Sequence, residues 1–111
     1  MSVRCAHILQ KHNESRRPFD SYRNKPVTRS REEAQANIKG FLEQVRANPQ
    51  AFKDIAAQYS ECSSCQRGGD LGHFERGQMQ QPFEEASFAL KVGEISEMVS
   101  TDSGYHIILR L

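Results

Sequence analysis

The chain has 111 residues, 37% of them hydrophobic and 26% charged, with a net charge of +1. That is enough for one compact domain over residues 1–111 with a modest core, and too evenly balanced for an extended nucleic-acid footprint. No apolar run approaches the roughly eighteen residues of a membrane span, and Met1–Val3 lead straight into Arg-Cys-Ala-His without an apolar leader.

Val3 to Lys11 reads as a strand with Val3, Cys5, His7, Leu9 and Lys11 on one face and Arg4, Ala6, Ile8 and Gln10 on the other. Apolar residues on both faces imply a sheet covered on both sides. Residues 12–27, polar, basic and broken by Pro18 and Pro26, read as a long mobile loop carrying Arg16, Arg17, Arg23 and Lys25. Ser30 and Glu33 fit a capping box, and Ala34, Ile38, Phe41, Leu42 and Val45 then recur at helical spacing, which predicts a helix over 31–47. Asn48-Pro49 ends it. Phe52, Ile55, Ala56 and Tyr59 mark a second, shorter amphipathic helix. After a loop over Cys62–Gly69, Leu71–Phe74 suits a short strand. Pro82 opens a helix that buries Phe83, Ala86 and Leu90 and stops near Gly93. Ile95–Ser100 and Tyr105–Leu111 read as strands joined by a turn at Thr101–Gly104. Strands at both ends bracketing helices argue for an α+β fold with the terminal strands adjacent.

The stretch from Gly68 to Phe83 is unusual. Four glycines in sixteen residues exclude a regular helix, yet Leu71, Phe74, Met79 and Phe83 are too apolar for a solvated loop. An apolar surface on bent backbone suits a small-ligand pocket, or else a loop folded over the core. Charge is also uneven. Residues 1–31 hold eight Lys/Arg against two acids, and residues 32–111 hold seven against twelve. A concentrated basic segment suits a small anionic target.

Several constellations could carry chemistry. Cys62-Ser-Ser-Cys65 is a CxxC, the spacing of a redox dithiol or half a zinc site. Zinc would need two further ligands, and His7 and His12 could serve only if the fold brought them in. A redox dithiol normally opens a helix, whereas this one runs into Gln-Arg-Gly-Gly, so incidental spacing is the plainer reading. Cys62 with His7 or His106 would make a nucleophile–base pair only with an orienting group and an oxyanion hole. His7 and His106 lie in apolar strand segments on neighbouring strands, so a buried hydrogen-bonded pair with Thr101 as a further partner is equally natural. Arg16-Arg17 with Lys11 could form a phosphate fork, or could be a solvated basic loop. Three cysteines without a leader point to a reducing compartment, cytoplasm or nucleus.

Taken together, Val3–Lys11, Ser15–Pro18, Ser60–Ser64, Gly69–Gly72, Phe74–Met79, Pro82–Leu90 and Thr101–Ile108 resemble the parvulin family of peptidyl-prolyl cis/trans isomerases. The match is to the signalling branch that acts on phosphoserine- or phosphothreonine-proline bonds, and it covers essentially the whole chain. The resemblance implies a four-stranded antiparallel sheet surrounded by about four helices, an FKBP-like superfold, with no cofactor and no metal. It makes His7 and His106 the paired histidines beneath the reacting bond, with Thr101 their partner and Cys62 and Ser103 lining the site. Leu71, Met79 and Phe83 correspond to a proline pocket with Gln80 at its edge, and Lys11, Arg16 and Arg17 to a phosphate-binding cluster. It further implies phosphorylated Ser/Thr-Pro proteins as partners, no nucleic acid or membrane, and a monomer. A non-catalytic phosphopeptide-binding module and a thiol enzyme using Cys62 and Cys65 are the competing readings. With no tryptophan, the sequence holds none of the WW modules that this branch often carries. Glu61 stands where aspartate is common, Tyr105 where a smaller aliphatic is common, and Cys65 lies outside the family's motif.

Overall fold

Strand β1 (Ser2–Gln10) runs through the middle of a four-stranded antiparallel sheet in the computed structural model, which describes residues 1–111. Along the chain follow β2 (Phe19–Asp20), β3 (Lys25–Pro26), α1 (Arg31–Ala47), α2 (Phe52–Tyr59), β4 (Asp70–Glu75), α3 (Gln81–Ala89), β5 (Val99–Thr101) and β6 (Gly104–Arg110). The sheet order is β4-β1-β6-β5, so the two terminal strands are neighbours as expected. There are three α-helices rather than four. The remaining helical backbone is two 3-10 segments, Pro49–Ala51 and Ser63–Arg67.

The alternation read from β1 divides the core in two. Ala6 and Ile8 pack with Tyr105 and Ile107 of β6 against Ala34, Ile38, Leu42 and Val45 of α1 and Phe52, Ile55 and Ala56 of α2. Val3 and Cys5 point the other way and pack with Ile108, Phe74 and Phe83, beneath α3. Helix α1 starts where its capping box predicts. Ser30 Oγ accepts from Glu33 N, and a Glu33 carboxylate oxygen accepts from Ser30 N. Such a cap is worth about 1 kcal/mol.

Two expectations change. Ile95–Ser100 is not a continuous strand: Ile95 forms a single bridge to Leu109, and the ladder resumes only at Val99. Residues 12–27 are no free loop. Phe19–Asp20 and Lys25–Pro26 form a tight hairpin whose Asp20 is fully buried. Arg23 ties that hairpin to the C-terminus of α2, donating to the carbonyls of Ala57, Gln58 and Ser60 and pairing with Asp20 at 2.9 Å. A helix end has unsatisfied carbonyls, and here one guanidinium takes three of them. The pairing also holds the Asp20 carboxyl below its usual range, although burial alone pushes it up. No helix is long and apolar enough to cross a membrane.

Candidate active site

Beyond residue 6 the ladder between β1 and β4 gives way to irregular chain, and this places the site. The register shifts between Arg4 and Ala6. From there the free edge of β1 is satisfied by other segments: His7 N donates to Gly69 O at 2.9 Å, Leu9 N to Ser60 Oγ at 3.0 Å, and Glu61 N to Leu9 O at 2.9 Å. Gly69 has φ +87, and a Cβ there would stand 2.4 Å from His7 O, so no other residue allows the approach. Cys62, the residue after Glu61, is thereby brought beside His7.

His7 and His106 are diagonal neighbours on β1 and β6, with Ile108 opposite His7 and Leu9 opposite His106. Their Nδ1 atoms lie 3.0 Å apart, one donating and the other accepting, and the rings stack at a centroid distance of 5.2 Å. His106 Nε2 is 2.7 Å from Thr101 Oγ1, which also accepts from Ser103 N at 3.1 Å. Burial, and then the neighbouring His7, push His106 well below the ordinary histidine range, so it is neutral at physiological pH. Phe83 meets both imidazoles edge-on, at 5.4 and 5.2 Å.

His7 Nε2 and Ser64 Oγ are buried and make no regular hydrogen bond. Both lie beside the Cys62 sulfur. Burial would raise this thiol, but the polar groups of His7 and Ser64 outweigh it and bring the pKa down to about 6. Cys62 is therefore largely thiolate near neutrality.

Above this floor is a cavity of about 280 Å³. Leu71, Met79 and Phe83 form its apolar wall, His7, Cys62 and His106 its base, and Gln80, Thr101, Ser103 and Arg16 its rim. Leu9 and Gln78 line it as well. Neither was singled out for the site from sequence, although Leu9 shares the strand face of His7. A larger groove of about 580 Å³ adjoins the cavity and shares Arg16, Gln80 and Thr101, but no hydrophobic residue lines it. Only the smaller space is apolar enough for a hydrocarbon ring.

The basic cluster is brought together unevenly. Arg16 and Arg17 are exposed and, unlike Arg23, Arg29 and Arg31, have no carboxylate partner. Lys11 is partly withdrawn: its amine donates to Phe19 O at 2.7 Å, and burial lowers its pKa, with nearby Arg17 contributing. The loop itself is fixed to the floor. Arg16 N donates to Asp102 O at 2.7 Å and Ser15 Oγ to Ser103 O at 2.8 Å. Gln80 completes the brace, donating to Ser103 Oγ and accepting from Asp102 N. The Thr101–Gly104 turn thus joins the arginine loop, the pocket edge and the histidine pair. His12, the other histidine weighed as a ligand, packs on Tyr105, and its Nδ1 accepts from Glu14 N.

A family model described as a rotamase, the PPIC-type peptidyl-prolyl isomerase domain, matches residues 7–111. A Theileria annulata protein named buparvaquone-resistant peptidyl-prolyl cis-trans isomerase NIMA-interacting 1 is 53% identical over 98% of this chain and 79% of its own length. Peptidyl-prolyl cis-trans isomerase Pin1 of Digitalis lanata is 50% identical over 97% of this chain and 94% of its own. Among solved structures, the peptidyl-prolyl isomerase ESS1 from Candida albicans superposes with a TM-score of 0.94 at 44% identity; the alignment covers 98% of this chain and 62% of that one. The chain belongs to the PPIC-type peptidyl-prolyl cis-trans isomerase family, the parvulins, and is a prolyl isomerase.

Proposed function

We propose that residues 1–111 act as one isomerase domain on phosphoserine- and phosphothreonine-proline bonds of protein substrates, turning the amide without covalent attachment. The observation that carries this reading is the pair of unpartnered guanidiniums, Arg16 and Arg17, on a loop braced to the rim of an apolar, histidine-floored cavity.

An X–Pro bond rotates over a barrier of about 18–20 kcal/mol because twisting breaks amide resonance, so uncatalysed exchange takes tens to hundreds of seconds. Removing about 7 kcal/mol accelerates it roughly a hundred-thousandfold. Rotation makes and breaks no σ bond, and no cofactor is required. In this reading Leu71, Met79 and Phe83 hold the proline ring, with Gln80 at the edge. Arg16 and Arg17 take the phosphate, and Lys11 adds charge from behind. Phosphate carries about −1.5 to −2 charge near neutrality and three acceptor oxygens, the geometry a guanidinium fork fits. Anchored at two points, the peptide applies its binding energy to the torsion between them.

The planar amide is more charge-separated than the twisted one, and a dry floor favours the less polar form. Neutral His106, held by Thr101, and the His7 imidazole bonded to it form a polar base. The Cys62 thiolate beside the substrate carbonyl opposes the negative oxygen of the planar form. The unpaired thiols suit a reducing compartment, cytoplasm or nucleus.

Matched phosphothreonine-proline, glutamate-proline and threonine-proline peptides, followed by proton exchange spectroscopy, test this. The phosphorylated peptide should exchange fastest by about two orders of magnitude. Equal rates on all three would refute phosphate direction.

A further inference from the structure

Cys65 has no part in the isomerase site, yet its position is specific. Sequence spacing suggested that the CxxC does not open a helix. In the structure it does: Cys62 is the N-cap of the 3-10 helix Ser63–Arg67, and Cys65 N donates to Cys62 O at 2.9 Å. A four-residue turn closed this way holds its first and fourth Cα atoms within about 7 Å, and a disulfide spans about 4.4–6.8 Å. The two thiols differ in surroundings. Cys62 borders the open cavity, while Cys65 is 1% exposed and reachable only from within. Cys5, the third cysteine, is fully buried among Val3, Phe74 and Ile108 on β1.

We propose that Cys62 and Cys65 are a peroxide-responsive pair, in which Cys65 resolves a sulfenic acid formed on Cys62 into a disulfide and so makes oxidation of the pocket thiol reversible. The Cys62 thiolate attacks one oxygen of a hydroperoxide, the O–O bond breaks, and hydroxide or alkoxide leaves. Cys65 then gives up its proton and attacks the Cys62 sulfur. The S–O bond breaks, and the departing hydroxide takes that proton as water. Two thiols lose two electrons in all, and the peroxide gains them. The order of events follows from environment: burial raises the Cys65 thiol, whereas Cys62 is the nucleophile at neutral pH. The disulfide draws the sulfur from His7 towards the short helix, removing the thiolate from the cavity. It also keeps Cys62 from the sulfinic state, which thiols cannot reverse. This inference goes beyond the isomerase reading and does not depend on phosphate direction.

The test is intact-mass and peptide-map analysis of the whole chain after an excess of hydrogen peroxide, enough to carry an unresolved thiol through the sulfenic to the sulfinic state, beside Cys65→Ala, which should retain the basal isomerase rate and circular dichroism. The native protein should lose two hydrogens (about 2 Da) in a Cys62–Cys65 crosslink, leave Cys5 free, and recover fully with dithiothreitol. Cys65→Ala should instead gain oxygen on Cys62 and stay oxidised after reduction once the sulfinic acid forms. The proposal is overturned if the native protein also accumulates oxygen on Cys62 while Cys65 remains alkylatable, or if the crosslink joins Cys5 or a second molecule.

Discussion

The histidine floor and the arginine rim share one depression but are held by unlike means. The floor is dry: His7 and His106 are each 4% exposed, and they are joined to each other, to Thr101 and to the Phe83 ring. The rim is wet. Arg16 and Arg17 project into solvent with only their backbone secured, through Arg16 N on Asp102 O. A fixed, low-dielectric floor suits a job that depends on small charge differences within one amide. A solvated pair of cations suits recruitment of a strongly charged group, where reach matters more than exact placement. Damage to the floor should therefore lower the rate on every substrate, and damage to the rim should alter only the choice among substrates.

Phe83→Ala should have the largest effect, because Phe83 walls the cavity and also joins Val3, Cys5, Phe74 and Ile108 in the core. Urea melts should show a loss of about 3–5 kcal/mol, and turnover should fall on phosphorylated and unmodified peptides alike. An unchanged ratio of the two rates with a much lower sum would sharpen the division between floor and rim; a changed ratio would break it.

Thr101→Val keeps shape but leaves buried His106 Nε2 without its partner. The expected cost is about 1–3 kcal/mol, read as a drop of roughly five- to 150-fold in kcat/KM with little change in KM. A normal rate in this variant would mean that the histidine pair needs no such anchor.

Acid should act on the floor before the rim. The Cys62 thiol lies at about 6 against an ordinary 9.0, so its contribution to stability is complete above 9 and is lost as pH falls through 6. His106 works in the same direction. Its folded pKa is depressed, so the unfolded chain binds the extra proton first, and stability declines below the ordinary value of 6.5. Urea midpoints at pH 7.5 and 5.5 should therefore fall with acid. The rate profile should bend near pH 6, and Cys62→Ala should lose that bend. A profile that keeps it would assign the titration elsewhere.

The same contrast explains what the sequence could disclose. β1, α1 and the pairing of the terminal strands were legible because period-two and 3.6-residue patterns and a capping box are local signals. The extent of the strand after Ile95 was not, since a single bridge to Leu109 is decided by the partner strand. The basic loop looked free because nothing nearby in sequence shows Arg23 reaching three carbonyls at the end of α2. Within the site, family resemblance supplied the grouping of His7, His106, Leu71, Met79 and Phe83. Lys11 is turned partly away, towards Phe19 O, a contact that depends on the hairpin, and Arg17, unlike Arg16, lines neither the cavity nor the adjoining groove. The glycines after the CxxC argue against a helix there, yet a 3-10 helix needs only the few residues before Gly68.

The smallest structural change carries the most direct test. Arg16→Ala/Arg17→Ala removes two exposed side chains and should leave circular dichroism and the urea midpoint within about 0.5 kcal/mol of the native protein. Exchange spectroscopy on paired phosphothreonine-proline and threonine-proline peptides should then show the phosphorylated rate falling to the level of the unmodified one, which itself stays put. If both rates dropped together, or if the preference for phosphate survived, the split between a catalytic floor and a selecting rim would be wrong.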